Sequence, residues 1–103
     1  MKVYVAGPMS GLEDFNRPAF NAAAHVLRSL GHDVLNPADL ETINFSGKPQ
    51  TWQWYMRHAV AMVARAEGVA LLPGWEASKG ANLEHRIATA LDLDIRPLAG
   101  WVS

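Results

Sequence analysis

Four short runs of apolar character, Val3 to Ala6, His32 to Leu35, Val69 to Leu72 and a last one around Asp94 to Arg96, alternate with three stretches of helical period. This alternation limits the fold more than any other feature of the chain. Parallel strands need a long crossover between them, and a helix is the usual crossover, so the pattern predicts an α/β fold on a mainly parallel sheet. Right-handed crossovers then give a doubly wound sheet of four to five strands with helices on both faces. With 103 residues there is material for one domain, residues 1–103, and one core. The absence of cysteine excludes disulfides, thiolate chemistry and Cys-based zinc sites.

Charge narrows the partners. Nine basic against ten acidic side chains give a formal charge of −1, unlike the strongly basic stripe that a nucleic-acid polymer requires. A small molecule or a protein is the expected partner. The apolar run after Met1 is far too short for a signal-peptide core, and no segment approaches a membrane span, so a cytoplasmic protein without membrane contact is expected. His25, His32, His58 and His85 have no HExxH or other ligand spacing, and neither a metal nor a cofactor is expected.

Helix one is read as starting with Asn16 as its cap and Pro18 in its first turn. Its apolar face is Phe20, Ala23, Ala24, Leu27 and Leu30, with Gly31 as the stop. Asn36-Pro37 ends the second strand, and Ala38 to Gln50 reads as an irregular loop, long enough to be a lid or binding segment. Helix two, Thr51 to Ala66, carries Trp52, Tyr55, Ala59, Met62, Val63 and Ala66 on one stripe. Val69 to Leu72 is the central strand, helix three runs from Ser78 to Leu91, and Pro97 ends the regular structure.

Ligands of open parallel sheets bind beyond the carboxyl ends of the strands. The loop after strand one, Gly7-Pro8-Met9-Ser10-Gly11, admits close approach to the backbone or is a plain turn. After strand three, Ser78 can cap helix three and leave the amides of Lys79, Gly80 and Ala81 facing an anion such as phosphate. The alternative is an ordinary cap with Gly80 serving helix packing. Glu84 shares a stripe with Ile87, Ala88 and Leu91, the face turned to the sheet, where an unpaired carboxylate is expensive to bury. It is either a tuned catalytic group looking into the cleft or half of a salt bridge to Arg57, Arg86 or Arg96. Tyr4, below the Gly7 loop, either bonds such a carboxylate or fills core. Of four tryptophans, Trp75 is best placed to stack on a base, Trp52 reads as core, and Trp54 and Trp101 as possible interface residues.

Taken together, Tyr4-Val5-Ala6-Gly7-Pro8-Met9-Ser10-Gly11, Asn36-Pro37-Ala38, and Leu71-Leu72-Pro73-Gly74-Trp75-Glu76-x-Ser78-x-Gly80-Ala81-x-x-Glu84 resemble the nucleoside 2-deoxyribosyltransferase-like family of small phage and bacterial proteins, over nearly the whole chain. The resemblance implies a flavodoxin-like sheet and cleavage at the N-glycosidic bond of a 2′-deoxynucleoside or its 5′-monophosphate. It also implies that Glu84 attacks the anomeric carbon and that Tyr4 orients it. Ser78, six residues before Glu84, implies contact with a 5′-phosphate. The substrate-binding set expected from these loops is Gly7, Pro8, Met9, Asn36, Asp39, Trp75, Ser78 and Gly80. One departure is Ala59, which stands where relatives carry an Asp that holds or protonates the departing base; Asp39 or His58 are the candidate substitutes. A nucleotide-binding protein with little or no turnover is therefore the alternative. So short a chain has little left to close over the base, which predicts a homo-oligomer in which the tail 98–103 or the loop 39–50 completes a neighbour's site.

Overall fold

In the computed structural model, which describes residues 1–43, 48 and 50–102, the alternation becomes four strands and four helices. Strands β1 (Lys2–Ala6), β2 (Asp33–Leu35), β3 (Gly68–Leu71) and β4 (Asp94–Pro97) are separated by helices α1 (Arg17–Ser29), α2 (Trp52–Arg65) and α3 (Lys79–Ala90), and α4 (Leu98–Val102) follows. The strands pair only in parallel, in the order β2-β1-β3-β4. That is the flavodoxin-like order. The chain winds outward from β1 to β2, then crosses to β3 on the other side, so the loops after β1 and β3 diverge and leave a crevice at the carboxyl edge.

Strand alternation sorts the core into two layers. Val3, Val5, Ala70 and Leu72 meet Phe20, Ala23, Ala24 and Leu27 of α1 on one face. Tyr4, Ala6, Val69 and Leu71 meet Ala59 and Val63 of α2 and Ala88 of α3 on the other. These strand residues, and Leu72 just beyond β3, are all buried, as expected of a sheet covered on both sides.

Several local expectations are corrected. Asn16 does not cap α1: its backbone is left-handed (φ 60°, ψ 21°), whereas a capping residue is extended, and its Nδ2 instead donates to the Pro8 carbonyl at 2.9 Å. It thus anchors the loop after β1. Leu30 is half exposed, because the apolar stripe of α1 leaves the sheet after Leu27. Residues 37–43 form a 3-10 turn rather than irregular loop, while 44–47 and 49 of the expected loop lie outside the described residues.

Regular structure also continues past Pro97. Helix α4 returns Trp101 to its own sheet, where Nε1 donates to the Val69 carbonyl at 3.0 Å. Gly68 makes room for it, since a Cβ there would stand 2.6 Å from the indole. Arg96 lies over the ring, its guanidinium carbon 4.5 Å from the centroid. Within the described part of the tail, 98–102, Trp101 and Leu98 thus pack into this chain's own core, while Val102 is exposed. Among the described residues no helix is long and apolar enough to cross a membrane.

Candidate active site

The crevice at the carboxyl edge is a cavity of about 450 Å³, within the range of small-molecule sites. Its walls come from four places. The loop after β1 supplies Gly7, Pro8, Met9 and Ser10; the turn after β2 supplies Pro37, Ala38 and Leu40; α2 supplies Trp52, Tyr55, Met56 and Ala59; the start of α3 supplies residues 77–81. Tyr4 and Glu84 line it from the sheet side, while Leu12 and Phe15 of the segment before α1, and Arg17 at its start, line it as well.

Glu84 sits on the second turn of α3 and faces the sheet, 5% exposed. Its Oε2 accepts a short hydrogen bond from the hydroxyl of Tyr4, which is fully buried. The salt-bridge alternative fails among the described residues: Arg57 and Arg86 are exposed, and Arg96 pairs with Asp94 at 2.6 Å. Burial raises the Glu84 carboxyl from its ordinary 4.5 to about 7, with the Tyr4 hydroxyl pulling the other way. Tyr4 is itself pushed well above the ordinary tyrosine range, first by burial, then by the charge of Glu84 and the hydrogen bond to it. The phenol therefore stays protonated and donates. Oε1 has no hydrogen bond to a described residue, so one carboxylate oxygen is held and the other is available to a ligand.

Ser78 is the cap of α3, as its position suggested: Oγ accepts from the Ala81 amide at 3.2 Å. The Ala81 amide is thereby used, which removes it from the three expected to face an anion. The amides of Lys79 and Gly80 have no acceptor within the helix, and the Ser78 hydroxyl proton can still be donated outward. Gly80 has a packing role as well. A Cβ there would stand 3.1 Å from Met56 Sδ, so α3 approaches α2 closely at this point. Gly7 is required by the same logic, its missing Cβ falling 2.8 Å from Leu72 Cβ.

Of the expected set, Tyr4, Gly7, Pro8, Met9, Ser78, Gly80 and Glu84 come together on one cavity. Asn36, Asp39 and Trp75 lie outside its lining. Asn36 is buried and shapes the turn after β2, its Oδ1 accepting from the Ala38 amide and its Nδ2 donating to Asn21, both at 3.0 Å. Asp39 is exposed, 4.0 Å from Arg28. Trp75 stacks on His85, ring centroids 4.7 Å apart, and packs against the core. His58 stands beside Trp54, also off the lining, so neither candidate substitute for an acid at Ala59 reaches the cavity wall.

The largest revision concerns α2. Trp52, read as core, lines the cavity with Tyr55, Met56 and Ala59, at spacings that share a helix face. Fourteen residues of helix span about 21 Å, whereas a four-residue strand spans about 13 Å, so the helix outlasts the sheet. Val63 and Ala66 dock on strands, while the first two turns overhang the crevice. Comparing those two lengths is the signal in the sequence that identifies this wall. Among the described residues, no group of three or more His, Cys, Asp or Glu side chains is arranged to hold a metal.

No curated protein matches the chain. Residues 1–96, which include the loops after β1 and β3 and the Tyr4 and Glu84 pair, match the family described as a domain of unknown function (DUF4406), and the chain belongs to that family.

Proposed function

We propose that this cavity cleaves or transfers at the N-glycosidic bond of a 2′-deoxynucleoside or its 5′-monophosphate, with Glu84 as nucleophile. The observation that carries the reading is one buried carboxylate at the cavity wall, with Oε2 fixed by Tyr4 and Oε1 open to a ligand. Oε1 attacks the anomeric carbon, and the bond to the base breaks with its electron pair going to the base nitrogen, which takes a proton from solvent. Water, or a second base, then forms a bond to the same carbon as the ester bond to Glu84 breaks, and the incoming nucleophile loses its proton. This is the retaining logic of carboxylate nucleophiles at sugar carbons. The pairing with Tyr4 keeps the carboxylate oriented and favours its charged form.

The second reading, nucleotide binding without turnover, is favoured by Ala59. It lines the cavity as an apolar wall, where a general acid would contribute about 10²–10⁴-fold. The two readings separate in one assay. The protein is incubated with the four deoxynucleosides and their 5′-monophosphates, with and without an acceptor base, beside Glu84→Gln. Base release or exchange by the native chain alone supports catalysis; no turnover above the variant, with saturable calorimetric binding, supports the second reading; silence in both assays refutes both.

A further inference from the structure

The two edges of the sheet are finished differently. Strand β2 forms one edge, and the Val34 carbonyl, which the parallel ladder turns outward, accepts from Arg28 Nη2 at 3.4 Å. Strand β4 forms the other edge. The Asp94 amide donates inward to the Glu67 carbonyl at 3.1 Å, so alternation along β4 turns the N–H and carbonyl of Ile95 outward and those of Arg96 back to β3. Among the described residues neither Ile95 group has a hydrogen-bond partner on that outer side. An edge left open in this way is a template for another strand. Asp94 and Arg96 flank Ile95 on one face, both partly exposed, and the guanidinium holds the carboxylate by bonds of 2.9 and 2.6 Å.

Charge complementarity selects the strand that fits. We propose that β4 pairs antiparallel with β4 of a second copy of this chain, about a two-fold axis at Ile95, and so joins the two sheets into one. Each Ile95 N–H donates to the carbonyl of the other. The same register sets Asp94 opposite Arg96 of the partner subunit, and Arg96 opposite Asp94 of the partner subunit, at non-hydrogen-bonded positions where Cα atoms stand about 4.5 Å apart. The two ion pairs become a ring of four alternating charges, and Ile95, half-buried in one chain, meets its counterpart on the α3 face. Strand β2 offers no such match, because pairing about Val34 would set Asp33 against Leu35. The contact is short. Pro97 has no N–H, and the Leu93 amide already donates to the Ala88 carbonyl at 3.0 Å, so pairing stops on either side of Ile95. The result is a reversible dimer closed by its symmetry rather than a growing fibre. Because no β4 residue lines the cavity and the strands run in opposite directions, the two cavities lie at opposite ends of the joined sheet and stay open.

Sedimentation equilibrium of the full chain from micromolar to millimolar concentration tests the proposal, with amide hydrogen exchange at Ile95 as the local readout. The native chain is expected to form a concentration-dependent dimer in which the Ile95 amide exchanges more slowly than in dilute solution. Asp94→Arg and Arg96→Asp each set like charges against one another across the axis and weaken the dimer by about tenfold or more. Mixed in equal amounts, the two variants associate again, because the basic positions of one face the acidic positions of the other. A native chain that stays monomeric at millimolar concentration overturns the proposal, as does a dimer that neither substitution weakens or a mixture that fails to associate. Exchange at Ile95 needs no variant and decides the matter if a substitution unfolds the chain: a rate independent of concentration overturns the pairing.

Discussion

Replacing Glu84 by Gln isolates what its burial does to the fold, whatever the protein's substrate. The carboxyl is raised from 4.5 to about 7 because the folded state withholds water from the charged form. A group raised in the folded state contributes full stability below its unfolded value, and that contribution is lost as pH rises through the folded value. For Glu84 the loss runs from about pH 4.5 to about pH 7 and amounts to about 3 kcal/mol. Gln keeps the size and the acceptor for the Tyr4 hydroxyl but cannot ionise. The native chain therefore weakens relative to Glu84→Gln as pH rises from 5 to 8, and urea unfolding at each pH measures the difference. At roughly 1–3 kcal/mol per molar urea, the gap between the two midpoints should change by about 1–3 M in favour of the variant. All other titrating groups cancel in the comparison. Parallel curves of midpoint against pH for the two proteins would refute the argument that Glu84 is ionised at a desolvation cost.

Other perturbations reach different links of the account. Tyr4→Phe removes the donor to Oε2, so the acid limb of the turnover profile should move up by about 1–2 pH units, the value of one hydrogen bond to a charge; an unmoved limb would contradict the orienting role. Trp101→Ala empties the space over Gly68 and removes the bond to Val69, and should lower stability by about 3–5 kcal/mol in chemical denaturation while leaving monophosphate binding intact. Gly7→Ala drives a methyl to 2.8 Å from Leu72 Cβ and should cost about 1–3 kcal/mol; a neutral effect would mean the loop after β1 yields easily. Ser78→Ala should lower stability by about 1 kcal/mol through the lost cap and, by the reading above, raise KM for a monophosphate.

The layers of the fold and the Tyr4 and Glu84 pair were legible in sequence because both depend on short-range periodicity. Alternation along β1 puts Tyr4 on the α3 side, and the spacing of Glu84 to Ile87 and Ala88 turns the carboxylate to the same side. What periodicity does not contain is how far an element extends past its neighbour. Trp52 and Tyr55 share a stripe with Val63, yet they line a cavity because α2 continues where the sheet has ended. Asn16 and Trp101 escaped for another reason. A left-handed backbone at Asn16 and the return of α4 onto Gly68 are set by tertiary partners, Pro8 in one case and Val69 in the other, that no local pattern names. Asn36 and Trp75 sit at the right strand ends, but their side chains serve the turns that shape the cavity.

The central claim, that Glu84 forms a bond to the sugar, is tested most directly by trapping. The native chain is mixed with each deoxynucleoside 5′-monophosphate, quenched in acid within the first turnovers, and digested for mass analysis. The account predicts a deoxyribosyl 5-phosphate adduct on the peptide carrying Glu84, matched by an equal amount of released base, and neither in Glu84→Gln. Base release that persists in Glu84→Gln, or an adduct on any other residue, would contradict it.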